Sequence, residues 1–198
     1  MTPIELKDIR NIAEYETVRE AVRSEVIALK KNRRLELGPN LSLVFENRQT
    51  VLFQVQEMVR TERLVGDRKI QDEIDAYANL IPGADELSAT LFIEIPGIVE
   101  MSHGEAIKAV NFFQGFAQGG IVLRAGATRA EAVFESGFSN DEKMAAVQYV
   151  KFPASAAFIA SLRDRALACT TRADNGRYVA ETPIPEAMRA ELLADLDL

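Results

Sequence analysis

The sequence predicts an α+β fold in which N-terminal helices and a β-hairpin pack on a mostly antiparallel sheet built from two βαββ units. Three observations predict it. Over the first 83 residues the apolar side chains step mainly by three and four, the helical period, except for one alternating stretch around Gly38-Pro39-Asn40. From Leu87 onward, short alternating runs bounded by glycine and proline dominate, as strands require. The order strand, proline, helix, strand, turn, strand then occurs twice, beginning near residues 87 and 146, with matching ends at Ile95-Pro96 and Phe152-Pro153. Two such units predict a sheet of about six strands covered on one side by helices.

The elements follow in order. Thr2-Pro3-Ile4-Glu5 reads as a capping box with proline at the first helical position, so a short helix is expected to open the chain. Ile12, Tyr15, Val18, Val22, Val26 and Leu29 form one stripe on a long helix that runs to about Asn32. Leu35 and Leu37, then Leu41, Leu43 and Phe45, make the hairpin, with turn residues between them. Asn47 caps a second helix over 48–65, whose apolar residues lie on most sides and predict burial. Gly66 ends it, Asp67 caps a third helix, and Pro82-Gly83 closes the segment.

In the first βαββ unit, Leu87, Ala89, Leu91, Ile93 and Ile95 form one strand face, and Ser88, Thr90 and Glu94 belong to the opposite one. Ser102-His103-Gly104-Glu105 opens a helix carrying Ile107, Val110, Phe113 and Ala117, and Gly119-Gly120 ends it. Residues 121–124 and 130–135 form a hairpin, and a polar loop, 136–142, follows. The second unit has a strand over Ala146–Phe152, a helix with Phe158, Ile159 and Leu162, and strands at 167–171 and 178–181. A last helix spans about 185–196. Residues 1–83 are thus expected to share one compact unit with residues 84–198, which hold the βαββ units 84–136 and 145–184.

Composition narrows function. A single cysteine, Cys169, and a single histidine, His103, exclude an internal disulfide framework, thiolate-cluster metal sites, paired-histidine zinc chemistry and histidine-paired di-iron sites. No run approaches the roughly 18 apolar residues of a membrane span. Residues Met1 to Asp8 lack a basic segment followed by an apolar one, so a cytoplasmic location and no membrane contact are expected. The net charge of −7 is concentrated as an acidic excess in residues 71–198, which argues against nucleic-acid binding. Lys30-Lys31-Asn32-Arg33-Arg34 reads better as cations at a helix C-terminus than as an RNA patch. No metal or cofactor is expected. The loop Ser139-Asn140-Asp141-Glu142 reads as a turn and helix cap rather than a cation loop.

The richest polar group lies where the hairpin meets the second helix. Glu46 and Glu57 are the candidate proton-transfer groups there, and Arg48, Gln54, Arg60 and Glu94 the candidate ligand contacts. Structural ion pairs, such as Glu57 with Arg60 three residues on, are the competing and simpler reading. Ser88, Thr90 and Glu94 read as the wet side of the sheet. If the N-terminal helices cover that side instead, Glu94 is buried and needs Arg48 or Arg60. His103 reads as a surface residue at a helix start and Cys169 as a small apolar side chain. Phe112, Phe113 and Phe116 read as core. Gly115, Gly119 and Gly120 sit at the wrong end of a helix to bind phosphate.

Val26-Ile27-Ala28-Leu29-Lys30, Leu37-Gly38-Pro39-Asn40-Leu41, Phe45-Glu46-Asn47-Arg48, Gln54-Val55-Gln56-Glu57-Met58 with Arg60 to Arg63, and Glu86-Leu87-Ser88-Ala89-Thr90 resemble an uncharacterised bacterial family, domain of unknown function 3501. A weaker similarity runs through Ala146–Phe152 to the last helix. Many members carry a histidine in the strand matched by Gln148-Tyr149, where this chain has none, so no role of that histidine transfers. The family brings no established activity. Its members are often encoded near rubrerythrin-like and iron–sulfur oxidoreductase proteins, which implies such a partner and a setting in redox or peroxide defence. The leading expectation is therefore a non-enzymatic accessory or binding protein, as a homodimer. The alternative is an enzyme using Glu46, Arg48, Glu57 and Arg60 on a small anionic substrate.

Overall fold

The structure, a computed structural model, describes residues 1–135 and 144–197. The expected polar loop, its Ser139–Glu142 turn and the Ala117 side chain lie outside the described residues. The chain opens with Glu5 and Asp8 capping each other around a 3-10 turn, Leu6–Asp8. The expected Thr2 cap does not form, because Ile4 is buried and holds the chain in an apolar cluster before any helix begins. Asn11 accepts from the Glu14 amide and starts α1 (Ile12–Lys31). Of this helix only Tyr15 and Val26 are buried, so its apolar stripe lies along a neighbouring helix rather than deep in a core.

β1 (Arg34–Leu37) and β2 (Leu41–Glu46) form the expected hairpin, with Leu37 opposite Leu41. Asn47 caps α2 (Arg48–Thr61), and its own amide donates to Thr50 Oγ1 at 2.9 Å. This helix stops four residues before its expected end. Arg63 adopts a left-handed conformation, φ 52°, its amide donates to the Arg60 carbonyl, and the Leu64 amide donates back to Val59 at 2.9 Å. That is a Schellman stop with arginine where glycine is usual. Gly66 accordingly precedes the next helix, α3 (Asp67–Tyr77), instead of ending the last. A 3-10 turn, Ala78–Leu80, follows.

The remaining elements are β3 (Glu86–Ile93), α4 (His103–Asn111), β4 (Ile121–Ala125), β5 (Thr128–Glu131), β6 (Val133–Phe134), β7 (Val147–Pro153), α5 (Ala156–Arg163), β8 (Cys169–Asp174), β9 (Val179–Pro183) and α6 (Glu186–Leu196). The Ser102–Glu105 capping box starts α4 as expected. The helix ends at Asn111, well short of Gly119, because Gly115 (φ 100°) and Gly119 (φ 85°) turn left-handed around a separate 3-10 turn. Phe113 and Phe116 are buried, whereas Phe112 is exposed beneath the Arg177 guanidinium and does not join the core.

Whether the two βαββ units share one sheet is left open by the sequence, and the strands form two sheets. One runs β1-β2-β3-β7-β6, the other β5-β4-β8-β9, and every pairing is antiparallel. Each βαββ unit is divided between them. The first strands, β3 and β7, pair with Leu87 opposite Phe152. The two hairpins join through β4 and β8, with Leu123 opposite Thr171. A helix after each first strand carries the chain from one sheet to the other. The expected strand over 130–135 also serves both sheets: β5 belongs to the second and β6 to the first, and Ala132 turns the corner while donating to Ile121 at 2.9 Å. Strands that switch sheets in this way make the corners of packed β layers.

The main core lies between the sheets, where Leu43, Phe45, Leu91 and Phe152 meet Ile121, Leu123 and Phe158. A smaller core, Val51, Val55, Val59, Ile74 and Leu80 with Tyr149, packs α2 and α3 on the outer face of the first sheet. α6 is tied to the start of β1 by Arg33, which is 1% exposed and donates to Asp195 at 2.7 and 3.0 Å and to Glu191 at 2.8 Å. Of the basic cluster, then, Lys30 and Lys31 occupy the last helical turn, while Arg33 is an internal clamp. Burial pushes the Asp195 carboxyl up, and its bonds to Arg33 only partly offset this.

Two stability measurements follow from these contacts. Arg33→Ala strands a buried carboxylate and should cost about 3–5 kcal/mol in urea unfolding, while Arg33→Met combined with Asp195→Leu should recover most of the loss. Arg63→Gly relieves a left-handed side-chain clash and should raise stability by about 1 kcal/mol.

Candidate functional site

The residues singled out at the hairpin–helix junction go to different places. Glu57 faces α1, where Tyr15 Oη donates to it at 2.8 Å and Arg19 donates through Nε and a terminal nitrogen, each at 2.9 Å. Arg60 reaches the same carboxylate at 3.3 Å and lies 3.6 Å from Glu16. The Arg19 guanidinium above all holds the Glu57 carboxyl down to about 2, and burial together with the Glu57 carboxylate pushes the Tyr15 phenol up. Arg48 turns the other way and binds Asp8 at 2.6 Å. Glu94 lies past the end of β3, exposed, and pairs with Arg34 at 2.8 Å rather than with Arg48 or Arg60. The four-residue anion site is therefore not assembled. At about 100° per residue, nine residues place Arg48 half a turn from Glu57 on α2.

Glu46 and Gln54 lead to a different site. The strand register lines up Glu46, Ser88 and Lys151 across the outer face of the first sheet, and beside them Val44, Thr90 and Tyr149. This face was expected to be wet, yet Glu46 is 2% and Ser88 1% exposed, because α2 and α3 lie over it. Gln54 of α2 shares a hydrogen bond with Tyr149. Beside the Ala78–Leu80 turn the cover is incomplete, and a cleft of about 400 Å³ opens, lined by Glu86, Ser88, Phe134, Glu135, Tyr149 and Lys151 among others.

The polar groups there are unevenly satisfied. Thr90 donates to Glu46 Oε1 at 2.7 Å, but Glu46 Oε2 and the Ser88 hydroxyl are buried with no partner among the described residues. Lys151 Nζ donates to Glu86 Oε1 at 2.6 Å and to the Ile81 carbonyl at 3.1 Å, and the Gly83 amide adds a 2.7 Å bond to the same oxygen. Asn79 donates to Glu135 Oε1 at 3.0 Å. Burial pushes the Glu86 carboxyl up, but Lys151 and Gly83 outweigh it and hold it below its usual range. Burial, then Tyr77 and the carboxylates of Glu46 and Glu135, push the Tyr149 phenol up, so it stays protonated. Ser88 and Lys151 face each other as a serine–lysine catalytic pair would. The ammonium, however, is already bound to Glu86 and Ile81, and Ser88 gains no base from it.

Tyr149, Lys151 and Glu135 were not anticipated. The alternation in Val147-Gln148-Tyr149-Val150-Lys151 carries the signal, since it puts Tyr149 and Lys151 on one face and buries Gln148 and Val150 on the other. His103 is exposed in the first turn of α4, and Cys169 is buried with its thiol pushed up by burial, both as expected. Among the described residues, no three His, Cys, Asp or Glu side chains are grouped to share a metal ion, and no helix is long and apolar enough to cross a membrane.

Comparison with known proteins agrees with the resemblance read from the sequence. The family model described as protein of unknown function, DUF3501, matches residues 3–196. The chain belongs to the DUF3501 family. Its fold is similar to the crystal structure of a novel protein of unknown function from Burkholderia pseudomallei, with a TM-score of 0.87 and 27% identity over 99% of this chain and 100% of that one. No curated protein matches the chain. In β7, Gln148 is buried and donates to the Ala145 carbonyl, and Tyr149 lines the cleft.

The Glu57 network sets a pH-dependent bond between α1 and α2. A carboxyl held below its unfolded value stabilises the fold above that value and loses the contribution as pH falls towards about 2. Glu57→Gln should cost about 2 kcal/mol at pH 7. The difference from the parent protein should shrink steadily between the ordinary glutamate range and pH 2, as followed by denaturant unfolding at each pH.

Proposed function

We propose that this DUF3501 protein is a small-molecule-binding module, an accessory rather than a catalyst, and that its ligand site is the cleft between the first sheet and the Ala78–Leu80 turn. The observation that carries this reading is the Ser88 hydroxyl, buried in the cleft wall and unpartnered, with the unpartnered Glu46 oxygen on the residue directly opposite. A buried polar group left unbonded costs about 1–3 kcal/mol, which a bound polar molecule can remove. The volume, about 400 Å³, falls in the range of small-molecule sites. Catalysis on an anion lacks its arginines, since Arg48 and Arg60 are engaged by Asp8 and by Glu57 and Glu16.

The redox or peroxide-defence setting, with a rubrerythrin-like or iron–sulfur partner, rests on the family resemblance. A homodimer in the cytoplasm fits an accessory role of this kind. A pull-down from the native host that recovers such a redox protein supports the setting, and one that repeatedly recovers none removes it.

The cleft itself is tested by NMR with a small-fragment library containing cationic, neutral and anionic members. Amide shifts concentrated at Ser88, Glu135, Tyr149 and Lys151 are expected. Shifts scattered over the surface, or confined to the α1–α2 groove, would overturn the assignment.

A further inference from the structure

We infer that the cleft selects a small organic cation, a primary amine joined to an apolar or aromatic body; this deepens the binding reading above and rests on it. The argument is one of donors and acceptors. Glu86 receives both of its hydrogen bonds on Oε1, Glu135 receives one on Oε1, and Glu46 receives one on Oε1. The second oxygen of each carboxylate accepts nothing among the described residues. Among the described residues the lining holds two carboxylates, Glu86 and Glu135, and one cation, Lys151, whose ammonium already serves Glu86 and the Ile81 carbonyl, while Glu46 stands opposite Ser88 outside the lining. Among the described residues the cleft thus offers more unengaged acceptors than positive charge, which suits a ligand that brings donors and a positive charge with it.

An ammonium group meets that demand, with three N–H donors and no acceptor. Glu86, at the start of β3, and Glu135, just past the end of β6, both line the cleft, and the Ser88 hydroxyl lies in the wall with its oxygen unengaged. The rings of Phe134 and Tyr149 line the same space and offer aromatic surface to a cation or to the body attached to it. A metal ion fits less well, because the carboxylates are not grouped to share one. An anion meets the carboxylates and finds no unengaged positive group among the described residues of the lining. An excess of carboxylate over ammonium in the lining also concentrates small ions of the opposite sign.

The test uses three probes of one shape, benzylammonium, benzyl alcohol and benzoate, titrated into the whole protein at pH 7 and low salt and read from the amides of Ser88, Glu135 and Tyr149. Benzylammonium should bind at least about tenfold more tightly than benzyl alcohol, with benzoate weakest. Glu135→Gln, at a partly exposed position that spares the core, should weaken the amine about five- to tenfold and leave the alcohol unchanged. Lys151→Met removes the competing ammonium and should strengthen the amine by a similar factor, a change of sign that simple loss of structure cannot produce. Benzyl alcohol or benzoate binding in the cleft as tightly as the amine overturns the cation selection and leaves the cleft reading standing. No cleft response to any of the three overturns the amine inference, and the broader fragment screen then decides separately whether the cleft binds anything.

Discussion

Laying an apolar helix across the polar face of a sheet is the constraint from which the rest of this molecule follows. α2 presents Val51, Val55 and Val59 to the first sheet, and in doing so removes Glu46, Ser88 and Thr90 from water. Apolar burial of this size favours the contact, while each polar group it covers must find a partner or impose a cost. Thr90 and Glu46 answer each other across two strands, and Gln54 answers Tyr149 from the helix above. Where the helical cover runs out beside Ala78–Leu80, polar groups remain without partners and a cleft lies beside them.

The other buried charges are handled differently. Arg33 is engaged by Asp195 and Glu191, and Arg189 fills the C-terminal end of α5 by donating to the carbonyls of Ser161, Leu162, Asp164 and Leu167. Glu57 gathers Tyr15, Arg19 and Arg60 and so fastens α1, a helix with little buried surface of its own, to α2. In each case a guanidinium with several donors meets several acceptors, which suits it to closing helix ends and helix pairs. These are structural networks. The carboxylates of the cleft contrast with them, since Glu86 and Glu135 each use only one oxygen among the described residues.

Much of the order of elements was legible in local sequence. The Ser102–Glu105 box, the Asn47 cap, the Gly38-Pro39-Asn40 turn and the alternation of β3 all depend on neighbours a few residues apart, and each forms where it was expected. Element ends were less legible. α2 stops at an arginine in a glycine conformation because Leu64 can pack back on the apolar cluster of Val59, a contact that no stop signal announces. Glu46 and Gln54, read together from the sequence, both meet the covered face of the first sheet, Glu46 through Thr90 and Gln54 through Tyr149. Arg48, Glu57 and Arg60 were grouped by closeness along the chain, although the helical turn keeps only Glu57 and Arg60 together and sends Arg48 to Asp8. Tyr149 and Lys151 come from a strand about a hundred residues away in sequence, and reach Glu46 only through the β2–β3–β7 pairing.

Sequence alone determined the α+β class, the two βαββ orders and the kinds of chemistry that one cysteine and one histidine exclude, because period, capping and composition are local properties. Tertiary structure decided that each βαββ unit divides between two sheets, that the face bearing Ser88 and Glu46 is buried, and that Glu86 and Glu135 line one cleft with Lys151. Those outcomes depend on strand partners and on which surface a helix finds to cover, and such long-range choices are made by the packing of the whole chain.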